Sequence, residues 1–471
     1  MILPNYNEAK KRTKSEVLRE EYIINDDLKK IGEGKTYFVK TYGCQMNEHD
    51  TENIKAMLEE MGFIENDDYK NSDLIILNTC SIRENAHNKA FGMLGRIKHL
   101  KEERKDIIVG LCGCMAQEEG VVNRILEKYK WVNFVFGTHN IHRLPFILKD
   151  SLDSNNTEVE VYSKEGNIVE GLPVKRQHSY KAYVNIMYGC DKFCTYCIVP
   201  FTRGKQRSRN KDDIINEVID LKNKGYMEVT LLGQNVNAYG KDLDTNYGME
   251  DLLRDVSLTG IPRVRFMTSH PWDFTDSMID VISKYDNIMP SIHLPVQSGS
   301  SRILKLMGRR YTKEEYLKLF NTIKEKIPNV SISTDIIVGF PKEEEEDFLE
   351  TLDLVEKCKY DNAFTFIFSK REGTAACKLE DNTDIKEKEK RLYRLNDIVN
   401  KYFLENNKRL VGTKVSVLVE GRAQGRKNGL FGYTDTNKLI NFDGDDSLIG
   451  KIISVEVVDA KTWSLDGKYE G

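Results

Sequence analysis

The sequence predicts an α/β protein in three parts: an N-terminal open parallel-sheet domain, a central partial (β/α)6 barrel and a small all-β barrel at the C-terminus. Strand-like apolar runs alternate with helical apolar spacing from residue 36 to about residue 145, and a second such series begins near residue 180. From about residue 408, short strands separated by turn residues replace the helices. Strand–helix alternation favours a parallel sheet with helices on its faces, and a succession of short strands favours a barrel or sandwich.

Changes of pattern set the domain boundaries. Residues 1–35 are charged with little apolar period and are predicted to be a flexible or loosely helical extension, and the polar residues 151–175 are predicted to be a linker. The folded parts are then 36–150, 176–407 and 408–471. Strands are predicted by their apolar runs at 36–42, 73–79, 106–112 and 134–137 in the first part, and at 182–187, 228–233, 264–269, 291–296, 331–339 and 363–369 in the second.

Composition and apolar patterning favour a cytoplasmic protein that uses its cysteines as metal ligands. The 471 residues contain no apolar run of about 18 residues that could span a bilayer, and the charged N-terminus lacks the apolar stretch of a secretory signal. We therefore expect a cytoplasmic monomer with no membrane partner. Nine cysteines in such a chain point to metal ligation rather than to disulfides. The formal net charge of −4 neither supports nor excludes a nucleic-acid partner, because local patches decide binding.

Three cysteines lie within the segment GCDKFCTYC, where Cys190, Cys194 and Cys197 have the spacing C-x3-C-x2-C just after a predicted strand. We call residues 190–197 the cysteine loop. Its three thiolates can fill three corners of a [4Fe–4S] cluster, which usually takes four cysteines, and leave one iron open to chelate S-adenosylmethionine (SAM). The alternative, structural zinc, needs four ligands, and the next histidine along the chain is His270.

Three further cysteines share a position at the carboxyl ends of predicted parallel strands. Cys44 follows TYFVKTYG, Cys80 follows DLIILNT and Cys114 follows DIIVGLCG. We call them the strand-end cysteines. Such strand ends lie along one edge of an open sheet, where ligands bind, so a second cluster with an open iron is predicted there. The alternative is that these cysteines simply pack in the core, which is the role expected of Cys112, while Cys358 and Cys377 are expected to be structural or neutral.

Basic residues follow the cysteine loop, with Arg203, Lys205, Arg207 and Arg209 alternating along TRGKQRSR. A period of two in an extended segment puts side chains on one face. We expect that face to hold the phosphates of a nucleic acid or the SAM carboxylate, the alternative being a solvated charged loop. A similar candidate patch comprises Arg422, Arg426 and Lys427. The acidic run 343–347 is expected to be a solvated helix start.

Longer segments resemble the methylthiotransferase family of radical-SAM enzymes. KTYGCQMNEHDTE, NTCSIRENAHNK and GLCGCMAQ are similar to the family's N-terminal domain, and YGCDKFCTYCIVPFTRGKQRSR, HLPVQSGS, STDIIVGFP and FSKREGTAA are similar to its radical-SAM core. The tail, with LVEGRAQGRKNGLFGYT, looks like a TRAM domain, a small RNA-binding β-barrel. GCQMN and NTCSIRENA look like the MiaB-type branch. The resemblance covers about residues 36–471 and departs from the family pattern at Lys342 and Glu344.

The resemblance implies a radical-SAM tRNA methylthiotransferase that adds a 2-methylthio group to C2 of N6-(dimethylallyl)adenosine (isopentenyladenosine) at position 37 of tRNA. It implies that the cysteine loop holds the SAM-cleaving [4Fe–4S] cluster and that the strand-end cysteines hold an auxiliary [4Fe–4S] cluster that carries the sulfur. Two SAM molecules are used per turnover, one as methyl donor and one as radical source. The expected partners are the tRNA anticodon stem-loop and an electron donor such as flavodoxin or ferredoxin.

Besides Arg203, five side chains are candidates for contacts with SAM. Tyr196 stands where the family usually has an aromatic ring against the SAM adenine. Gln234 and Asn235 end the second barrel strand, where the superfamily contacts the SAM amino group, and Gln297 and Ser298 end the fourth. Active-site residues lie at such strand ends. The alternatives are a core tyrosine and amides that cap a turn.

Two alternative functions remain open. The same enzyme class could act on a ribosomal protein or on threonylcarbamoyladenosine in tRNA, although those branches usually have Pro-Lys or Lys-Val where this chain has Gln45 and Met46. A non-catalytic iron–sulfur protein that binds RNA or senses redox state would share the cysteines and form no 5′-deoxyadenosine from SAM.

Overall fold

The computed structural model describes residues 11, 17, 19–81, 84–154, 157–161, 168–425 and 428–471. These residues divide into two compact units. The first contains the described chain up to Gln177 together with residues 187–193 and 197–209, and the second contains residues 178–186, 194–196 and 210–471. Within the described ranges, no helix has the length and apolar character needed to cross a membrane.

The first unit is built on a parallel sheet. Up to Gln177 its elements are β1 (Arg19–Glu21), β2 (Thr36–Tyr42), α1 (Gln45–Glu60), β3 (Ile64–Glu65), β4 (Leu74–Thr79), α2 (Glu84–Glu103), β5 (Ile108–Gly113), α3 (Glu119–Lys128), β6 (Phe134–Phe136), α4 (Leu144–Asp153), β7 (Glu158–Glu160) and β8 (Ile168–Glu170). Six strands pair in the order β3-β2-β4-β5-β6-β7, all parallel. The predicted open parallel sheet is confirmed.

Apolar side chains on both faces of the sheet explain why its central strands are continuously apolar. In β4, Ile75 and Leu77 join the core formed with α2 and α3. Leu74 and Ile76, the alternate residues, join the core formed with α1 and α4. Strands buried on both faces read as unbroken apolar runs, and this is why β4 and β5 were recognisable in the sequence.

Parts of the predicted extension and linker prove to be ordered strands. Within residues 1–35, Arg19–Glu21 forms β1, which pairs in parallel with Ile168–Glu170 of β8, inside the predicted linker. Strand β7 adds to the edge of the six-stranded sheet beside β6. Leu28 is fully buried. The expectation of a flexible or loosely helical extension is therefore wrong for Arg19–Glu21, and the predicted linker contains strands of its own. These three-residue strands are too short to show an apolar period.

The chain between the two strand–helix series contributes to both units. Its elements are β9 (Lys181–Asn185), β10 (Met187–Tyr188), α5 (Val199–Thr202) and β11 (Arg207–Ser208). In the first unit, β10 and β11 pair antiparallel. Gly189 follows β10 with a φ of 68°, and a Cβ there would lie 1.9 Å from the carbonyl oxygen of Lys205. Only glycine therefore fits immediately before Cys190.

The second unit holds the remaining elements. They are α6 (Lys211–Asn223), β12 (Glu228–Leu232), α7 (Met249–Leu258), β13 (Arg263–Phe266), α8 (Asp276–Lys284), β14 (Ser291–His293), α9 (Ser301–Leu306), α10 (Lys313–Lys326), β15 (Ser331–Val338), α11 (Glu345–Cys358), β16 (Asn362–Ile367), α12 (Ile385–Lys408), β17 (Lys414–Arg422), β18 (Gly429–Thr434), β19 (Leu439–Asp443), β20 (Ile452–Ala460) and β21 (Leu465–Lys468). The parallel sheets β9-β12-β13 and β14-β15-β16 supply the six strands of the predicted partial barrel. The last five strands close into the predicted β-barrel in the order β17-β18-β19-β21-β20.

Arginines of β13 join the closed β-barrel to the partial barrel. Arg263 donates to the Tyr433 carbonyl oxygen at 3.1 Å. Arg265 donates to the carbonyl oxygens of Thr434 at 2.7 Å and Asp435 at 2.9 Å. Glu228 of β12 accepts from Arg265 at 2.9 Å. Arg263 also donates to Ser416 Oγ of β17 at 2.9 Å, so the acceptors on the closed barrel are three main-chain oxygens and one hydroxyl. A carboxylate behind the buried guanidinium groups holds them in place.

We predict that Gly113→Ala destabilises the first unit. Gly113 has a φ of 91°, and an added Cβ would lie 2.4 Å from both Asn78 Oδ1 and the Thr79 carbonyl oxygen. The backbone conformation alone costs on the order of 1–3 kcal/mol for a non-glycine residue. Thermal unfolding measures the loss. Gly95→Ala, on the exposed face of α2 with open space around it, is the control and should gain about 1 kcal/mol. Equal unfolding temperatures for the two variants would contradict the prediction.

Candidate active site

The strand-end cysteines meet because three parallel strands end level with one another. Tyr42 of β2 pairs with Thr79 of β4, and Thr79 is level with Gly113 of β5. Cys80 and Cys114 are the next residues, and Cys44 follows Tyr42 by two positions. Cys44 and Cys80 share a side-chain hydrogen bond. The structure thus brings these cysteines to one edge of the sheet.

Charge at this edge favours the thiolate form of Cys44. The side-chain hydrogen bond with Cys80 lowers the pKa of Cys44 to about 6; burial opposes this shift, and the positive charge of Arg203 adds to it. Cys44 is also the N-cap residue of α1, where the partial positive charge of the helix stabilises an anion. Burial raises the pKa of Cys114, although Arg203 acts in the opposite direction. The edge thus favours the thiolate form at Cys44 but not at Cys114.

Arg203 is the positive group at the strand-end cysteines. Its Nε donates to Cys114 Sγ at 3.2 Å, and its Nη2 forms an ion pair with Asp50 Oδ2 at 2.6 Å. Arg203 is only 4% exposed, and Asp50 is buried as well. Burial raises the pKa of Asp50, while the charge of Arg203 holds it down. A sulfur acceptor and a carboxylate thus fix one buried guanidinium between them.

Amide side chains support the same edge. Asn47 Nδ2 donates to Asn78 Oδ1 at 3.0 Å and to the Thr79 carbonyl oxygen at 3.1 Å. Asn78 Nδ2 donates to the Asn47 carbonyl oxygen at 2.8 Å and to Thr51 Oγ1 at 2.9 Å. Cys44 Sγ lies 3.4 Å from Asn47 Oδ1. This buried network ties the start of α1 to the end of β4 and so fixes the spacing of Cys44 and Cys80.

The donor chemistry of this edge fits an iron–sulfur cluster. No three His, Cys, Asp or Glu side chains in the described part of the chain are grouped as ligands of one metal ion. A [4Fe–4S] cluster takes each thiolate at a different iron, so its cysteines surround a cluster and not a single ion. Three cysteine sulfurs at one edge, with one lowered pKa and a buried cation beside them, match that requirement.

The remaining cysteines take the structural places expected of them. Cys112 lies in β5 within the apolar core, and burial raises its pKa well above the ordinary value. Cys358 ends α11, and burial raises its pKa to about 12. Cys377 lies in a short 3-10 helix, Ala375–Lys378. The thiols of Cys112 and Cys358 are therefore held in the neutral form, unlike Cys44.

The cysteine loop is anchored on either side of its centre. In the first unit, the Cys190 amide donates to the Gly204 carbonyl oxygen at 3.1 Å. In the second unit, the Thr195 amide donates to the Met307 carbonyl oxygen at 2.9 Å, and Thr195 Oγ1 donates to the Leu306 carbonyl oxygen at 2.8 Å. Cys194 is buried. Hydrogen bonds to main-chain carbonyl oxygens therefore fix the backbone of the cysteine loop at Cys190 and at Thr195.

A second buried arginine, Arg309, lies beside Cys194. Its Nη1 is 3.5 Å from Cys194 Sγ, and its other nitrogens donate to the Pro295 carbonyl oxygen at 2.8 Å and Tyr311 Oη at 2.9 Å. The sequence did not single out Arg309, because it lies 112 residues beyond Cys197 in no recognised ligand motif. Each group of cysteines therefore has one arginine hydrogen-bonded to one of its sulfurs.

Two buried polar atoms near the ends of β12 and β13 lack hydrogen-bond partners among the described residues. They are Asn235 Oδ1 and Ser269 Oγ. The amide nitrogen of Asn235 is occupied, since it donates to Asp273 Oδ2 at 2.6 Å. Buried polar atoms are normally paired, so these two require a ligand or water. Asn235 was a sequence candidate, whereas Ser269 was missed because a lone serine after a strand carries no pattern.

The other SAM candidates differ in what their side chains contact. Tyr196 packs on an apolar cluster, with its ring 6.5 Å from that of Phe340, so part of it serves the core. Gln297 is buried with a φ of 72°, a strained conformation common at functional sites. Ser298 Oγ accepts from the Ser300 amide at 3.2 Å and lies 3.4 Å from Thr351 Oγ1. The Ser298 hydroxyl therefore stabilises the loop to which it belongs. Gln234, which follows β12, is half-buried.

The alternating basic residues do not form the expected solvent-facing surface. Arg203, Lys205 and Arg207 are all buried, and only Arg207 belongs to a strand, the two-residue β11. Arg209 is half-buried and ion-paired with Glu170 at 2.8 Å. The expectation of a face for tRNA phosphates is therefore wrong for these side chains. A period of two shows that side chains share a face, but not whether the face meets solvent.

The sequence also singled out two other charged segments. Of the candidate patch in the C-terminal part, Arg422 is exposed and ion-paired with Asp446, while Arg426 and Lys427 lie outside the described residues. The acidic run 343–347 does begin a helix, but Glu343 is buried and accepts from the Gly339 amide at 2.8 Å and from Arg391 at 2.9 Å. The expectation of a solvated run is wrong at Glu343 and at Asp347, which are both buried. Glu343 closes the loop in which Lys342 departs from the family pattern.

Three family models match the chain. The Radical SAM superfamily matches residues 184–355, the uncharacterized protein family UPF0004 matches residues 36–137, and the TRAM domain matches residues 408–469. Among solved structures, the chain is similar to the radical S-adenosylmethionine methyltransferase TsrM from Kitasatospora setae, with a TM-score of 0.53 and 12% identity over 73% of this chain and 77% of that one. This likeness concerns the fold alone. The chain is thus a radical-SAM protein, a class that uses a [4Fe–4S] cluster and SAM.

Curated relatives define the family more narrowly. The chain is 54% identical to a tRNA-2-methylthio-N(6)-dimethylallyladenosine synthase of Halalkalibacterium halodurans, over 99% of this chain and 87% of that protein. It is also 54% identical to proteins of that name from Staphylococcus epidermidis and Staphylococcus aureus, over 99% of this chain and 91% of each. The chain belongs to the family of tRNA-2-methylthio-N(6)-dimethylallyladenosine synthases, which are radical-SAM methylthiotransferases.

We predict that Arg203→Met destabilises the protein through the charge it leaves on Asp50. Removing one member of a buried ion pair costs about 3–5 kcal/mol, because the other charge stays buried without a partner. Denaturant unfolding of the cluster-free chain measures the loss. The double variant Arg203→Met, Asp50→Leu should recover most of it. Arg422→Met, which breaks an exposed pair with Asp446, is the control and should change stability little. A loss no larger than that of the control would refute the buried pair.

Proposed function

We propose that this chain adds a 2-methylthio group to C2 of N6-(dimethylallyl)adenosine at position 37 of tRNA. The observation that carries the proposal is the presence of two separate groups of three cysteines, one in the cysteine loop and one at the ends of β2, β4 and β5. One group would serve SAM cleavage alone. A second group gives the chain a place to hold sulfur, and relatives over nearly the whole chain carry the corresponding name.

We assign each group of cysteines to one [4Fe–4S] cluster. Cys190, Cys194 and Cys197 hold the SAM-cleaving cluster, and the strand-end cysteines hold the auxiliary cluster. Bound with SAM, the first cluster supplies a 5′-deoxyadenosyl radical, which suits an aromatic C2–H that ordinary bases do not activate. The chain's own contribution is position: main-chain bonds fix the cysteine loop, and the amide network of Asn47 and Asn78 fixes the spacing of the strand-end cysteines.

We assign the SAM contacts to the carboxyl ends of the barrel strands. Asn235 Oδ1 and Ser269 Oγ are buried without partners among the described residues, and they can accept from and donate to the polar groups of SAM. Gln234 and Gln297 follow β12 and β14. Tyr196, two residues after Cys194, offers its aromatic ring. Active-site residues of such barrels lie at these ends.

The proposed reaction needs a tRNA substrate, two molecules of SAM, an electron donor and a reducing compartment. The anticodon stem-loop of tRNA is the substrate, met by the TRAM barrel, which is similar to a small RNA-binding domain. Two SAM molecules are consumed per turnover, one for the methyl group and one for the radical. A small low-potential carrier such as flavodoxin or ferredoxin delivers the electron. We place the protein in the cytoplasm, because free thiolate ligands require a reducing compartment. We also propose that it is a monomer.

Mass spectrometry of tRNA nucleosides tests the substrate. A strain lacking the gene should lose 2-methylthio-N6-dimethylallyladenosine and accumulate N6-(dimethylallyl)adenosine, and the gene on a plasmid should restore the product. Retention of the product with loss of the threonylcarbamoyladenosine derivative, or of a modified ribosomal protein, would transfer the activity to another substrate. Failure of reduced, reconstituted protein to form 5′-deoxyadenosine from SAM would favour a non-catalytic iron–sulfur protein.

We predict that the two groups of cysteines divide the work. Wild-type protein should hold about eight irons per chain, as two four-iron clusters require. Cys194→Ala and Cys80→Ala should each hold about four, but only Cys194→Ala should lose the formation of 5′-deoxyadenosine from SAM. Cys112→Ala, which alters a core thiol two residues before Cys114, is the control and should keep about eight irons. Iron analysis and product chromatography measure both. Equal loss of SAM cleavage in both folded cluster variants would overturn the division.

A further inference from the structure

Arg309 carries a buried positive charge at the cysteine loop. The residue follows Gly308, whose φ of 73° turns the chain after α9, and it is 7% exposed. Its three side-chain nitrogens face different acceptors: Cys194 Sγ at 3.5 Å, the Pro295 carbonyl oxygen at 2.8 Å and Tyr311 Oη at 2.9 Å. All the acceptors other than the sulfur are neutral groups.

No carboxylate in the described part of the chain pairs with Arg309. Three other buried arginines differ in this respect, since Arg203 has Asp50 at 2.6 Å, Arg265 has Glu228 at 2.9 Å and Arg391 has Glu343 at 2.9 Å. A buried cation without a compensating charge is costly, because desolvation takes several kcal/mol and only an anion nearby returns it. The arrangement around Arg309 is therefore complete only when an anion is present.

Cys194 is the place where that anion can reside. Tyr311 cannot supply it readily, because its hydroxyl donates to the Val296 carbonyl oxygen at 3.0 Å and burial raises the pKa of its phenol. A cluster held by thiolates carries net negative charge, and hydrogen bonds to its sulfurs and nearby charges set its reduction potential.

We propose that Arg309 is a positioning residue of the SAM-cleaving cluster, which holds the Cys194 thiolate by a charge-assisted hydrogen bond and raises the reduction potential of the cluster. This rests on the proposed assignment of Cys190, Cys194 and Cys197 as cluster ligands. One-electron reduction adds negative charge to the cluster, and a fixed cation beside one ligand favours the reduced state. Arg309 thus supplies at the cysteine loop what Arg203 supplies at the strand-end cysteines, but without a carboxylate to offset its charge.

The test is the midpoint potential of the SAM-cleaving cluster in the full-length reconstituted enzyme. The cluster is identified as the reduced-state EPR signal that changes when SAM is added. Arg309→Gln removes the charge and should move the midpoint to more negative potential, with iron content still about eight per chain. Arg309→Lys keeps the charge and should restore the midpoint nearly to that of the wild type. Arg310→Gln removes the neighbouring exposed charge as a matched control and should leave the midpoint unchanged.

Further variants separate this role from a purely structural one. Tyr311→Phe removes an acceptor of Arg309 without removing charge, so it should lower the unfolding temperature and leave the midpoint in place. An unchanged midpoint in Arg309→Gln, or an equal shift in Arg309→Lys, would overturn the proposal. A raised KM for SAM with an unchanged midpoint would also overturn it and make Arg309 a SAM ligand. If Arg309→Gln does not fold, Arg309→Met, which also removes the charge, takes its place, and an unchanged midpoint in that variant would equally overturn the proposal. Wild-type protein without a SAM-responsive signal would instead defeat the proposed function.

Discussion

The hydrogen-bond register of β2, β4 and β5 decides whether the strand-end cysteines can act together. Tyr42, Thr79 and Gly113 are level across the three strands. A shift of one residue in any pairing would move one cysteine by about 3.3 Å and turn its side chain to the other face. Apolar cores on both faces of the sheet hold the register, because a slipped strand would exchange the side chains that each core receives. The packing of the two cores therefore also fixes the positions of the strand-end cysteines.

The sequence predicted the elements whose pattern is long enough to be read. Apolar runs buried on both faces located the central strands, and cysteines directly after three of them indicated the site. Prediction from the sequence missed the short elements, since the three-residue strands β1 and β8 offer too few positions to show alternation. The sequence also predicted that Arg203 and Lys205 share a face open to tRNA phosphates, whereas both are buried, because a period gives the relative direction of side chains and says nothing of what lies opposite them.

Arg309 and Ser269 were not predictable for a different reason. Neither belongs to a spaced motif, and each gains its meaning from a contact or a missing contact in three dimensions. Arg309 matters because it reaches Cys194, and Ser269 because its hydroxyl is buried without a partner among the described residues. The recognisable motifs thus supply the proposed cluster ligands, while residues from distant parts of the chain supply their electrostatic surroundings.

The joint between β13 and the closed β-barrel relies mostly on main-chain acceptors. Arg263 and Arg265 donate to the carbonyl oxygens of Tyr433, Thr434 and Asp435, and every residue type offers such an oxygen. The side chains at Tyr433 and Asp435 can accordingly change without removing an acceptor. Ser416 differs, because its hydroxyl oxygen accepts from Arg263 at 2.9 Å, and only a side chain that carries an acceptor can replace it. The turn after β18 therefore has to keep only its backbone course, whereas β17 has to keep a particular side chain.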